Sequence, residues 1–118
     1  MKVLTRAEEQ IMMVLWKIGS GLLMEVVENM PSPKPHKNTV ATILKTLADK
    51  AFIRVENIGR IHRYHPLVLK DQYSKSTLTS VAKGYFNGSF SDVVSFLVDE
   101  NKLSVKDLEL LLKQLKKK

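Results

Sequence analysis

The stretch IRVENIGRIHRYHP, residues 53–66, crowds Arg60, His62, Arg63 and His65 together. Two chemistries could use such a set. Imidazoles could ligate a metal, or guanidinium groups could meet phosphates. The metal reading fails on geometry. Residues three apart on a strand point to opposite faces, so His62 and His65 would not converge on one ion. His36 sits in a separate proline-rich loop. The chain has no cysteine, which removes thiolate metal sites, disulfides and a cysteine nucleophile together. No glycine-rich phosphate loop or nucleophile triad is present. An enzyme, a cofactor and a metal are therefore not expected, and the cationic reading stands.

A second set lies just upstream, at Lys37, Asn38, Thr39, Ala41, Thr42, Lys45 and Thr46. Val40, Ile43, Leu44 and Leu47 alternate with it at helical spacing, so these residues share the opposite, exposed side of a helix. A merely solvated face would favour Glu, Lys, Gln and Arg, the better helix formers, over three threonines. Small side chains let a helix approach closely to what it reads. Threonine hydroxyls can bond phosphates or base edges, and threonine and alanine methyls can touch the thymine methyl. On this reading, Thr42→Val is expected to change the preference between sites.

The charge follows the same segment. The chain has 118 residues and a net charge of +7, with a pI of about 9.7. From Lys34 to Arg63 there are seven Lys or Arg and two acids, Asp49 and Glu56, so +5 of the total lies there. No acid occurs from Met30 through Thr46. A basic patch so placed suggests a polyanion: nucleic acid, or less often an anionic membrane surface.

The elements that must position these groups are legible in the apolar spacing. Thr5 with Glu8 makes a capping box, and Ile11, Val14, Leu15 and Ile18 form the stripe of a first helix. Gly19-Ser20-Gly21 ends it. Leu23, Val26, Val27 and Met30 form a second stripe, stopped by Pro31. Asn38 or Thr39 is placed to cap the third helix, which should run to about Lys50. A hairpin is predicted at residues 52–65, turning at Gly59, with Pro66 closing it. Three helices and a two-stranded ribbon make a winged helix. The third helix would read a groove, and Arg60 at the ribbon tip and Arg63 behind it would meet the flanking backbone. Trp16 and Tyr64 are assigned to the core.

From Val68 the pattern is only helical. Leu78, Val81, Ala82 and Tyr85 form one stripe, ended by Asn87-Gly88. Phe90, Val93, Val94 and Leu97 form another. Ser104 with Asp107 caps a last helix, with Leu103 and Leu108 as its hydrophobic staple. Its stripe is Leu108, Leu111, Leu112 and Leu115, and Lys116, Lys117 and Lys118 sit at its negative dipole end. So short a tail rarely buries enough surface to stand alone. A second copy of the tail would cover it, giving a symmetric dimer; the alternative is that the tail folds back on residues 1–66.

The expected fold is thus mostly α with a small β-hairpin: a winged helix-turn-helix domain over 1–67 and a helical dimerisation subdomain over 68–118. The start MKVLTRAEEQ has no apolar signal core, and no apolar run approaches the ~20 residues of a membrane helix. A soluble, cytoplasmic protein is expected. Two other binding readings compete. One is a winged helix used for protein contact without operator binding, since fold alone does not fix function. The other is a membrane-surface role for the lysine-ended tail, which has only three lysines where such sites carry about 4–8.

The segments LTRAEEQIMMVLW, NTVATILKTLADKAFI and GRIHRYHPL, followed by GSFSDVVSFLVDENKLSVKDLELLLKQL, resemble the BlaI/MecI penicillinase-repressor family of winged-helix regulators. The Leu4-Thr5 to Trp16 segment, Thr39 with Thr42, and Gly59-Arg60, Tyr64 and Pro66-Leu67 carry the likeness. The resemblance implies a homodimeric transcriptional repressor on a palindromic DNA operator, with the carboxy-terminal helices as the dimer contact. It also implies derepression by a regulatory protease that cuts within the dimerisation region. Family members often carry Arg near Thr46 and Gly near Ala51. Where β-lactam-responsive members are cut between Asn and Phe, this chain reads Ser95-Phe96. The carboxy-terminal cysteine motif of copper-responsive relatives has no counterpart here.

Overall fold

The computed structural model describes residues 2–116, with side chains to residue 114. The expectations for Leu115 and for Lys116, Lys117 and Lys118 fall on side chains outside the described residues. The chain forms two compact units, Met1–Ser74 and Lys75–Lys118.

The first unit is a winged helix. Helix α1 spans Arg6–Ile18, and its capping box is complete: Thr5 Oγ1 accepts from the Glu8 N–H, and a Glu8 carboxylate oxygen accepts from the Thr5 N–H. The same carboxylate meets Lys50 Nζ at 2.8 Å, tying the start of α1 to a residue 42 positions away. Burial alone would push the Glu8 carboxyl up; the hydrogen bonds from Lys50 and Thr5 outweigh it and hold the group below its ordinary value.

A two-residue strand β1, Gly21–Leu22, follows, then helix α2, Leu23–Glu28. The sequence extends α2 to Pro31, but the helix stops earlier. The Asn29 side-chain amide donates to the Glu25 carbonyl and occupies a helix-end acceptor, while Met30 remains buried beyond the helix. Helix α3 spans Lys37–Asp49. Its cap is His36, not Asn38 or Thr39. His36 Nδ1 accepts from the Asn38 N–H at 3.1 Å, so Lys37, Asn38 and Thr39 form the first turn instead of preceding it.

Strands β2, Ile53–Ile58, and β3, Ile61–Pro66, form the hairpin, with Ile53 opposite Pro66 and Ile58 opposite Ile61. Gly59 has φ +64° while Arg60 stays at negative φ, the φ pattern of a II′ turn. The ribbon has a third strand that the sequence reading lacks. β1 pairs with β3, placing Gly21 opposite Tyr64 and Leu22 opposite Arg63, so β3 is central. A Cβ at Gly21 would lie 2.7 Å from Ile18 Cδ1, so a larger residue there would require the end of the Ile18 side chain to move.

The core gathers the predicted stripes. Ile11, Leu15, Val26, Val40, Leu44 and Leu47 are fully buried, joined by Met12 and Phe52, and Tyr64 is buried at the ribbon. Trp16 packs against this core and donates from Nε1 to the Val68 carbonyl at 2.8 Å. Helix α4, Lys70–Tyr85, begins within the first unit. Tyr73 on its first turn lies against the rings of Trp16 and Phe52 and donates its hydroxyl to Glu9.

Helix α3 ends in a Schellman motif: the Phe52 N–H bonds the Leu47 carbonyl and the Ala51 N–H bonds that of Ala48. Ala51 is thereby held at φ +62°, where a Cβ is unfavourable. Ala51 is exposed, so deleting its methyl uncovers little core. Ala51→Gly should therefore stabilise the fold by about 0.5–1 kcal/mol, the relief of strain exceeding the added chain entropy. Denaturant titration should show a higher midpoint at unchanged slope.

The second unit contains the rest of α4, helix α5 over Phe90–Asp99 and helix α6 over Val105–Lys116. Ser89 caps α5 by accepting from the Asp92 N–H. Its end is a second Schellman motif, with Asn101 at φ +58° and the Lys102 N–H on the Leu97 carbonyl. The Ser104–Asp107 capping box forms as read from the sequence. Among the described residues, no helix is long and apolar enough to cross a membrane.

Candidate nucleic-acid interface

Lys37, Asn38, Thr39, Thr42, Lys45 and Thr46 are all exposed on α3, and Ala41 is half-buried beside them. The stripe Val40, Leu44 and Leu47 holds the opposite side of the helix in the core. The exposed side is free of carboxylates until Asp49. Two of its hydroxyls are not free donors: Thr42 Oγ1 donates to the Asn38 carbonyl at 3.0 Å and Thr46 Oγ1 to that of Thr42 at 3.2 Å. These bonds close back onto the preceding turn.

The hairpin separates its two arginines. Arg60 is exposed in the turn. Arg63 is half-buried, opposite Glu56 across the ribbon, and its guanidinium reaches the Ser20 hydroxyl at 3.5 Å, a weak contact. Arg54, exposed on β2, is a third guanidinium that the sequence reading did not select. Its alternation with Glu56 along β2 could have identified it, since both point away from the core-facing Ile53 and Val55.

The two hairpin histidines are occupied separately. His62 Nδ1 lies 2.5 Å from Asn57 Oδ1, and His65 Nε2 lies 2.9 Å from Glu56 Oε1. The His65 hydrogen bond holds the Glu56 carboxyl below its ordinary range, with Arg54 and Arg63 adding to the effect. Among the described residues, no group of three or more His, Cys, Asp or Glu is arranged to hold a metal.

The stripes of the second unit lie open in the single chain. Tyr85 is 83% exposed, Phe90 55% and Leu112 55%, with Val94 and Leu111 also exposed. Val93, Leu97 and Leu108 are half-buried. Among the described residues of this unit only Ala82 is buried. Ser95 is exposed mid-way along α5, and the Phe96 ring stands edge-on to Phe86 at 5.6 Å.

The profile of the penicillinase repressor family matches residues 4–117 of this chain. The penicillinase repressor of Bacillus licheniformis is 26% identical over 110 residues, spanning 89% of this chain and 83% of that protein. Among solved structures, the CopR repressor superposes with a TM-score of 0.48 at 30% identity, over 56% of this chain and 97% of that one. The match along nearly the whole chain means that this protein belongs to the penicillinase repressor family of DNA-binding transcriptional regulators.

Proposed function

We propose that the protein represses transcription as a homodimer on a palindromic DNA operator. Each subunit lays α3 in a major groove and its hairpin along the flanking backbone. The observation that carries this reading is the face of α3 from Lys37 to Thr46: exposed, slim and free of carboxylates, in a member of a repressor family. Phosphate oxygens would meet Lys37, Lys45 and Arg60, with Arg63 behind them, while Asn38, Thr39, Ala41, Thr42 and Thr46 would face base edges. The amino-terminal winged helix would do the reading and the carboxy-terminal helices the pairing, through Tyr85, Phe90, Val93, Val94, Leu97, Leu108, Leu111 and Leu112. Derepression would act on the pairing half, through a regulatory protease cutting near Ser95-Phe96. The protein is a regulator, not an enzyme.

Arg60 supplies the test of the wing. Its side chain is exposed and makes no hydrogen bond or ion pair among the described residues, so a phosphate contact would be chiefly electrostatic. Arg60→Ala should weaken binding to all duplexes alike and flatten the slope of log affinity against log salt by about one per subunit. Titrations at several salt concentrations measure both. A change confined to sequence preference would mean that the wing reads bases instead.

A further inference from the structure

Asn38, Thr42 and Thr46 lie four residues apart and so form one line along the exposed side of α3. The two hydroxyl hydrogens on that line are already used, by the Asn38 and Thr42 carbonyls. What Thr42 and Thr46 turn outward is therefore a γ-methyl group and an acceptor lone pair, with no donor. A surface of that kind cannot recognise guanine O6 and N7, which need donors, but it fits the C5-methyl of thymine. The exposed side of α3 also has no arginine, the residue whose fork reads guanine most often. The Asn38 side-chain amide has no hydrogen-bond partner among the described residues, and an amide can bond adenine N6 and N7 together. Lys37 and Lys45 flank the line as point charges suited to phosphates.

Building on the operator-binding role, we propose that the line Asn38–Thr42–Thr46 makes α3 a reader of A·T pairs, with the Thr42 and Thr46 γ-methyls packed on thymine C5-methyls. The threonine hydroxyls are structural within the helix and carry no sequence information. The consequence for Thr42→Val is the reverse of what sequence alone suggests. Valine has the shape of threonine and keeps the outward methyl, so the preference for thymine should survive it. Serine keeps the hydroxyl and deletes the methyl, so the preference should not.

The test uses the full chain and a duplex selected by it from a random pool. Each thymine is replaced in turn by uracil, which lacks only the C5-methyl. Affinity should fall about fourfold for each thymine whose methyl is packed, the effect of uncovering one methyl-sized apolar group. Thr42→Val should keep that thymine-to-uracil ratio. Thr42→Ser and Thr46→Ser should each bring the ratio to about one at a single position, with the salt slope unchanged. Uracil tolerated at every position would overturn the proposal, as would serine variants that keep the full ratio throughout. Failure to enrich any duplex from the pool would overturn the operator-binding role itself, and the proposal with it.

Discussion

A chain ending at Ser95 should sediment mostly as a monomer and lose operator affinity by 10²-fold or more, with the winged helix still folded. Two reading heads held together meet the second half-site at high effective concentration, so separating them weakens binding without touching either head. The truncation removes all of α6 and residues 96–99 of α5, with the stripe residues Leu97, Leu108, Leu111 and Leu112. The packing it deletes is the Phe86–Phe96 ring pair and the Schellman end at Asn101. The core around Ile11, Leu44 and Phe52 belongs to the first unit and is untouched. The same geometry governs cleavage of the intact protein. The Ser95-Phe96 bond lies inside a hydrogen-bonded helix, so the segment must open locally before a protease can reach it. Sedimentation and operator titration of the truncated protein decide the matter. A truncation that dimerised and bound like the full chain would place the switch elsewhere.

The largest stability effect is expected at Phe52. Its side chain is 1% exposed, stands edge-on to Tyr73, and closes the Schellman motif at the end of α3 through its N–H. It sits where α3 becomes the wing. Phe52→Ala removes a ring from a close-packed core and should cost about 3–5 kcal/mol, against a total stability of order 5–15 kcal/mol. Thermal unfolding followed by circular dichroism should show the Tm of the first unit falling by more than about 10 °C. A loss below about 1 kcal/mol would mean that the site collapses around the gap and that the packing assigned to Phe52 is wrong.

What the sequence made legible was whatever repeats locally. The stripes Ile11–Val14–Leu15 and Val40–Leu44–Leu47, the Thr5–Glu8 and Ser104–Asp107 capping boxes, and the turn at Gly59 all sit where local spacing puts them. The missed features depend on partners distant in the chain or on chemistry with weak statistics. Strand β1 is two residues long and exists only because β3 offers it an edge. The Glu8–Lys50 ion pair and the Trp16–Val68 hydrogen bond span 42 and 52 positions, beyond any periodicity. His36 as a cap was invisible because the usual cap residues Asn38 and Thr39 stood nearby. At the candidate interface, the residue types on α3 were readable but their hydrogen bonds were not. A threonine in a helix can donate outward or back to the preceding turn, and only the structure distinguishes the two.

Two copies of the chain are expected to read two inverted half-sites at once, and hydroxyl-radical footprinting of the full chain on a selected duplex would reveal this. The predicted pattern is a pair of inverted, equally protected half-sites whose centres lie about one helical turn, roughly 34–36 Å, or a multiple of it apart. Both should be lost together when the chain ends at Ser95. Protection of a single unpaired half-site by a monomer would contradict the account.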